Sequence, residues 1–423
     1  MGQYRFRSAV APLRKNFAPA PAALPGVDGL VAELRPAEPL HCLRPQVLRA
    51  TARRFVDAFA AAVGGHVLYA VKCNPDPAVL RHLVKGGVRH FDCASPAEIR
   101  LVRQMFPNAP IHYMHPVKNR AAIRQAYGEY GVRDFSLDSA DELTKILEET
   151  GSAGAQGAGD LGLMVRLAMP KGQAAYDLSA KFGAEPEVAA ELLRRARAAG
   201  ARVGLCFHVG SQCLNPQAYE DAILLAGRVA AEAGVELDVL DIGGGFPVAY
   251  PDMNPPPLAD YMAAIRRGVQ ALNLPARTQV WCEPGRALVA AGGSIVVQVE
   301  KRRGGELYVN DGVYGSLSDA GVPAFKFPCR LVRPEGASSA PLQAFSFWGP
   351  TCDSADRMAG PFWLPADVRE GDWIEVGQLG AYGATLRTAF NGFDRAQMVE
   401  VADAPLLETA GYGIAARLPD ASA

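Results

Sequence analysis

Short apolar runs recur between Val67 and Arg286, each closed by a turn and followed by a stretch with helical spacing. They are Val67–Val71, His90–Cys93, Ile111–Met114, Asp134–Leu137, Leu161–Leu167, Val203–Val209, Val239–Ile242 and Val280–Cys282. Runs of this length predict strands, and the segments between them, such as Pro96–Met105 and Glu185–Ala198, predict helices. Strands alternating with helices imply parallel pairing. Eight such units in roughly 220 residues predict an α/β fold, a (β/α)8 TIM-type barrel, close to its usual length of ~250 residues. The competing architecture, a doubly wound open sheet, would want a G-x-G-x-x-G after its first strand, and that motif is absent.

Beyond Val289 the texture changes to β-like stretches separated by Gly and Pro turns: Ser294–Val299, Glu306–Val309, Ala344–Trp348, Trp373–Val376 and Met398–Val401. The expected division is an N-terminal arm over 1–45 that adds to a β domain, a barrel over 46–288, and a mostly β C-terminal domain over 289–423. Gly151–Gly159 reads as a flexible surface loop and Ala415–Ala423 as a frayed end.

A chain of 423 residues is too long for one ordinary core. Hydrophobic residues at 49% and charged residues at 21% fit a soluble globular protein. Lys+Arg 43 against Asp+Glu 44 leaves a net charge of −1, so nothing draws the chain to nucleic acid or to acidic membranes. No apolar run approaches the ~18 residues needed to span a bilayer. The first 27 residues carry Arg5, Arg7, Arg14 and Lys15 and no acid, as transit peptides do, yet Pro19, Pro21 and Pro25 oppose a long helix there. A solvated arm is the expected state. Eight cysteines without a C-x-x-C pair and seven histidines without H-E-x-x-H spacing point to a reducing cytoplasm and to no metal site.

Chemistry enters at strand ends, because the active sites of such barrels lie at the C-terminal ends of the strands. Lys72, Asp92, Arg166, His208, Gly243–Gly245 and Glu283 each end or directly follow a predicted strand. Lys72 closes a largely apolar run, with Asn74-Pro75 as the turn after it. Burial there would lower its pKa and make the amine a nucleophile toward a carbonyl; the competing reading is a lysine that snorkels to solvent. Gly243, Gly244 and Gly245 leave three N–H groups without side-chain cover next to an expected helix start, which suits a phosphate, or form a plain turn. Ser211 and Arg286 add a hydroxyl and a guanidinium for phosphate oxygens. A phosphate site together with a nucleophilic lysine points to pyridoxal 5′-phosphate, with His208 to stack on the pyridine and Glu283 to keep its nitrogen protonated. Glu283 would otherwise pair with Arg286, and His208 would otherwise be a satisfied core residue.

With these residues in place, the chain resembles the fold-type III pyridoxal phosphate decarboxylases, the ornithine/diaminopimelate/arginine decarboxylase family, and most of all its ornithine branch. The motifs are Tyr-Ala-Val-Lys-Cys-Asn (69–74), Phe-Asp-Cys-Ala-Ser (91–95), Lys-Phe-Gly (181–183), Phe-His-Val-Gly-Ser (207–211), Leu-Asp-Ile-Gly-Gly-Gly-Phe-Pro (240–247) and Glu-Pro-Gly-Arg (283–286). Val-Asn-Asp-Gly-Val-Tyr-Gly-Ser (309–316), Trp-Gly-Pro-Thr-Cys-Asp (348–353), Gly-Ala-Tyr (380–382) and Phe-Asn-Gly-Phe (390–393) follow in family order.

The resemblance implies that Lys72 forms a Schiff base with the cofactor, that Glu283 holds the pyridine nitrogen and that His208 stacks on the ring. Ser211, Gly243–Gly245, Gly285, Arg286 and Tyr382 would bind the phosphate, with Asp92 and Arg166 in support. It further implies that Cys352 returns a proton to the α-carbon, that Asp353 binds the distal amine of the substrate, and that both come from the partner subunit of a homodimer.

The chain departs from the ornithine enzymes where these carry a Tyr-Asp pair: Pro323 stands near the expected place, and either Asp319, four residues earlier, substitutes in substrate binding through a rearranged loop or the second carboxylate is missing. The expected reaction is decarboxylation of a diamino acid, ornithine to putrescine, with lysine or a modified diamino acid as alternatives. A racemase of this barrel type would carry arginine in place of Glu283, and a diaminopimelate enzyme would carry Cys-Glu in place of Cys352-Asp353. An inactive regulator of polyamine synthesis would have lost the cofactor residues, which are present here.

Overall fold

A computed structural model describes residues 24–152, 157–170, 174–176 and 181–409. The basic residues of the N-terminal arm, part of the Gly151–Gly159 segment and the Ala415–Ala423 end lie outside the described residues. Eight parallel strands close into a barrel in the spatial order Val239–Asp241, Gln279–Cys282, His66–Ala70, His90–Cys93, Ile111–Tyr113, Asp134–Leu137, Gly162–Arg166 and Arg202–Cys206. Each apolar run in the sequence became one of these strands, and the open-sheet alternative is excluded by closure. Helix Pro45–Val63 runs into the first strand and packs on Pro77–Lys85 and on the last barrel helix, Leu258–Ala271.

Local chemistry fixes where the helices begin. Asp76, Ser95, Asn119 and Ser139 each cap a helix by accepting from a backbone N–H two or three residues on, at 2.7 to 3.3 Å. Pro77 and Pro96 occupy first helical positions, where a missing N–H costs nothing. Such caps start the helices on one side of the barrel wall and leave the strand ends clear for side chains.

The second sheet runs Cys329–Val332, Trp373–Val376, Gly293–Arg303, Glu306–Val309, Leu342–Trp348 and Arg357–Pro365. Two of these strands, Cys329–Val332 and Arg357–Pro365, are not apparent in the sequence pattern. Gly360-Pro361 reads as a turn, yet the chain continues as a strand because a register shift opposite Ser346 absorbs the irregular residues. Leu40–Leu43 joins the same sheet, antiparallel to Gly293–Val296 and parallel to Gln397–Glu400.

Arg44, just after that strand, ties barrel to sheet. Its side chain is 1% exposed and bonds Glu375 at 2.8 Å, Ser294 at 2.9 Å and the carbonyl of Ala404 at 3.1 Å. Arg44→Met should therefore lower stability by about 3 kcal/mol, the lower end for breaking one side of a buried pair, since Arg330 still holds Glu375. A urea melt of the two proteins checks this, and equal midpoints would show that the pair contributes nothing.

At the opposite end of the barrel from Lys72, His66, His90 and His112 stack with ring centroids 4.7 and 5.4 Å apart. His90 Nδ1 lies 3.1 Å from His112 Nε2, and His112 Nδ1 lies 2.9 Å from Asp134, which also pairs with Arg202. Burial, and then the neighbouring His112 and His66, pull the His90 pKa down to about 4, against the Asp134 charge. A depressed folded-state value means that the contribution of His90 is complete above its unfolded pKa of about 6.5. It is lost as pH falls toward 4. His90→Gln should recover on the order of 1–2 kcal/mol of the stability lost between pH 7.5 and pH 4.5, allowing for partial exposure. Parallel urea melts at the two pH values test this; an identical drop in both proteins would assign the acid sensitivity elsewhere.

Candidate active site

The strand ends meet around a cavity of about 400 Å³ lined by Lys72, Asp92, Arg166, His208, Ser211, Gly245, Glu283, Gly285, Arg286 and Tyr382. Lys72 is not on the strand itself. The strand stops at Ala70, and Val71–Cys73 form a single 3-10 turn. Tyr69 donates its hydroxyl to the carbonyl of Asn74 at 3.0 Å, and the Asn74 amide donates to Gly380 at 2.8 Å, which holds the turn in place.

The Lys72 amine bonds Asp92 at 2.8 Å; 46% of its side chain is exposed, against 2% for Asp92. Here the structure corrects the expectation of a lowered pKa. Burial does disfavour the ammonium, but the carboxylates of Asp92 and then Glu283 outweigh it and raise the pKa above that of an ordinary lysine. In this state Lys72 is a charged, paired lysine.

Glu283 is buried, and its Oε1 meets no hydrogen-bond partner among the described residues. Desolvation, then the nearby Asp241 and Asp92, push its carboxyl well above the usual range, against the pull of Lys72 and Arg166. Its expected competitor role does not arise, because Arg286 pairs elsewhere. The Arg286 Nη1 group donates to Asp319 at 2.8 Å and to the Tyr250 hydroxyl at 3.0 Å. Asp319, the candidate for a substrate amine, has its Oδ2 engaged with this guanidinium. The Tyr382 ring lies under the same guanidinium at 4.8 Å.

His208 accepts at Nδ1 from the N–H of Gly210 at 3.0 Å, so its hydrogen sits on Nε2. Burial, then Arg166 and Lys72, pull its pKa down to about 3, and the ring is neutral. In the glycine loop, all three carbonyls are taken: Gly243 by the N–H of Glu283, Gly244 by the Tyr219 hydroxyl and Gly245 by the N–H of Cys213. The N–H of Gly243 is taken as well, by Asp241 at 2.9 Å. Gly244 and Gly245 therefore keep the N–H groups that could face an anion. Gly243 and Gly245 have φ of 69° and 97°, and a Cβ on Gly245 would stand 2.3 Å from the Gly210 carbonyl. The expected helix start is not there: the next helix begins at Leu258, so the loop offers amides without a helix terminus.

Cys352 and Asp353 do not reach this cavity within one chain. They line a separate cleft with Asn310, Trp348 and Phe393. Cys352 is exposed, and its N–H donates to Asn391 at 3.1 Å. Asp353 accepts from the Tyr314 hydroxyl. Phe182 and Phe246, from two of the quoted motifs, also line the Lys72 cavity, and so do Met114, His115 and Pro116, which no motif marks. Met114–Pro116 follow the strand Ile111–Tyr113, so the strand-end rule applied to every strand would have found them. No sequence signal marks Tyr250.

An uncovered carboxyl at one end, a buried guanidinium Nε without a partner, free loop amides and a lysine between them fit a flat, phosphorylated, nitrogen-containing ring. A closed parallel barrel whose strand ends carry these groups defines a cofactor-dependent barrel enzyme. Comparison with known proteins makes this particular. Residues 46–290 match the pyridoxal binding domain of the pyridoxal-dependent decarboxylases, and residues 291–380 match their C-terminal sheet domain. The chain is 34% identical over 348 residues to a lysine/ornithine decarboxylase of Selenomonas ruminantium, covering 80% of this chain and 84% of that protein.

Among solved structures, a lysine/ornithine decarboxylase from Vibrio vulnificus complexed with putrescine superposes with a TM-score of 0.73 at 32% identity, covering 89% of this chain and 97% of that one. The Paramecium bursaria Chlorella virus arginine decarboxylase gives a TM-score of 0.76 at 27% identity, over 89% of this chain and 99% of its own. The chain belongs to the fold-type III pyridoxal phosphate-dependent ornithine/diaminopimelate/arginine decarboxylase family. It is an amino-acid decarboxylase, its cofactor is pyridoxal phosphate, and its relatives act on basic amino acids.

The charge on Lys72 is itself measurable. Asp92→Asn should shift the reaction of the Lys72 amine with formaldehyde and cyanoborohydride to lower pH in the cofactor-free protein, because the carboxylate that outweighs burial is gone. An unshifted pH profile, read by peptide mass mapping, would mean that Asp92 does not hold the charge.

Proposed function

We propose that the protein converts L-ornithine to putrescine and carbon dioxide for polyamine synthesis, as a cytoplasmic homodimer with shared active sites. The observation that carries this reading is the division of the chemistry within one chain. The cavity holds a lysine, a buried carboxyl and a guanidinium end, but its two acids, Asp92 and Glu283, both lie beside Lys72. A diamino acid needs a carboxylate for its distal ammonium. Cys352, exposed, and Asp353, half-buried beside it, lie on another face, where they would complete the site of a second copy. Eight free cysteines agree with a reducing compartment.

In this reading Lys72 would hold the cofactor through its aldehyde, with Asp92 at 2.8 Å placed to accept the proton that the ammonium must lose. Glu283 would hold the pyridine nitrogen and favour its protonated form, and His208, neutral, would lie against the ring. Ser211, Gly244, Gly245, Arg286 and Tyr382 hold the phosphate, with Gly243 and Gly285 giving the backbone its close approach. Arg166 adds positive charge near His208. When bound, the cofactor serves as the electron sink that lets carbon dioxide leave the α-carbon. Cys352 of a second copy then supplies the proton to that carbon, and Asp353 beside it binds the distal amine. With Pro323 where a second acid would stand and Asp319 committed to Arg286, a single carboxylate meets that amine. This favours lysine as a second substrate, since one contact fixes chain length less tightly than two.

Lys72→Ala and Cys352→Ala should each cut turnover by orders of magnitude, while an equimolar mixture of the two should recover about a quarter of wild-type activity, because about half of the dimers are mixed and each of these has one of its two sites intact. Carbon dioxide release from a panel of diamino acids should be highest with ornithine, followed by lysine. No recovery in verified heterodimers would place both residues within one chain, and release from neither diamino acid would overturn the substrate class.

A further inference from the structure

Arg286 is held more firmly than binding an anion requires. Among the described residues only its Nη1 bonds to protein, and it does so twice, to Asp319 at 2.8 Å and to Tyr250 at 3.0 Å. Its Nε is buried and has no partner, and Nη2 makes no protein hydrogen bond among the described residues. Three aromatic rings surround the guanidinium, Tyr382 at 4.8 Å, Phe325 at 5.2 Å and Tyr250 at 5.9 Å, so the group cannot swing freely. Nε and Nη2 together form one two-donor edge of arginine, the edge that matches two oxygens of a phosphate. Asp319 does not occupy that edge.

We propose that Asp319 is a positioning residue for the cofactor phosphate: it anchors Nη1 from behind and thereby aims the Nε/Nη2 edge of Arg286 at the ligand. The proposal rests on the assignment of Arg286 to the phosphate made above. Asp319 sits in the short helix Ser318–Gly321 of the C-terminal domain, whereas Arg286 opens the helix that follows the last barrel strand. The contact therefore makes phosphate affinity depend on how the two domains meet. An acid so near a phosphate would also repel it, but the guanidinium stands between them, and the loss of an oriented two-point contact outweighs the relief of that repulsion. Tyr250, the second anchor, comes from the loop after Val239–Asp241 and still bonds Nη1 when Asp319 is changed, so Asp319→Asn should loosen the aim of Arg286 without disturbing the fold.

The test uses the full-length protein stripped of cofactor and compares two ligands, pyridoxal 5′-phosphate and pyridoxal, by titration of absorbance and intrinsic fluorescence. Asp319→Asn should weaken pyridoxal 5′-phosphate roughly tenfold, as losing an outer partner of a ligand-binding group does, and leave pyridoxal unchanged. Asp319→Glu should restore part of the difference. Arg286→Gln is the control for the site itself and should abolish the preference for the phosphorylated ligand.

If Arg286→Gln keeps that preference, the phosphate end has been misassigned and the proposal falls with it. If Arg286→Gln loses the preference while Asp319→Asn retains it, only the role of Asp319 is overturned. Equal weakening of both ligands in Asp319→Asn would mark a structural role, and tighter binding of the phosphorylated ligand would mark Asp319 as a competitor; either result overturns the proposal.

Discussion

Closure of eight parallel strands is the constraint on which everything else depends. Parallel pairing puts all the strand ends on one rim, and closure brings ends far apart in sequence within reach of one small cavity. Lys72 and Glu283 are separated by 211 positions in the chain, yet both face that cavity because the strand Gln279–Cys282 pairs with His66–Ala70 to complete the ring. Without that last pairing there is neither a barrel nor a site.

The cavity so formed gathers charge that would be costly to bury singly, and it balances that charge by position. At one end Asp92 pairs with Lys72, and burial, then the charges of Asp241 and Asp92, raise the Glu283 carboxyl well above its usual range. At the other end Arg286 is framed by groups from both domains, Tyr250 from the barrel and Asp319, Phe325 and Tyr382 from the sheet domain. The sheet domain is therefore part of the anion end of the site. The buried contact of Arg44 with Glu375 fixes the two domains on a different face, so the relation between sheet and barrel is set at more than one place.

Much of the architecture was legible in the chain because the eight barrel strands are short, apolar and regularly interrupted by capped helices. The strands that escaped are those whose local signals contradict their tertiary state. Arg357–Pro365 contains a Gly-Pro step that reads as a turn, and only the bulge against Leu342–Trp348 lets it pair. Among site residues, those at strand ends were legible by position, including Asp92 and Arg166. Met114–Pro116 could have been found by the same rule. Asp319 was read as a substrate residue because sequence gives its type and approximate place but not the direction of its carboxylate.

The sequence by itself determined the alternation of strand and helix, the change of texture after Val289, the cofactor chemistry implied by a strand-end lysine and a glycine triplet, and the family to which those motifs belong. These are local properties: periodicity, capping and backbone freedom act over a few residues and survive without tertiary context. The tertiary structure alone decided the charge on Lys72, the partner of Arg286 and the separation of Cys352-Asp353 from the Lys72 cavity. Each of these depends on electrostatic fields and contacts between residues distant in the chain. A pKa follows from the charges and the burial around a group, and those exist only once the barrel has closed and the sheet has docked on it.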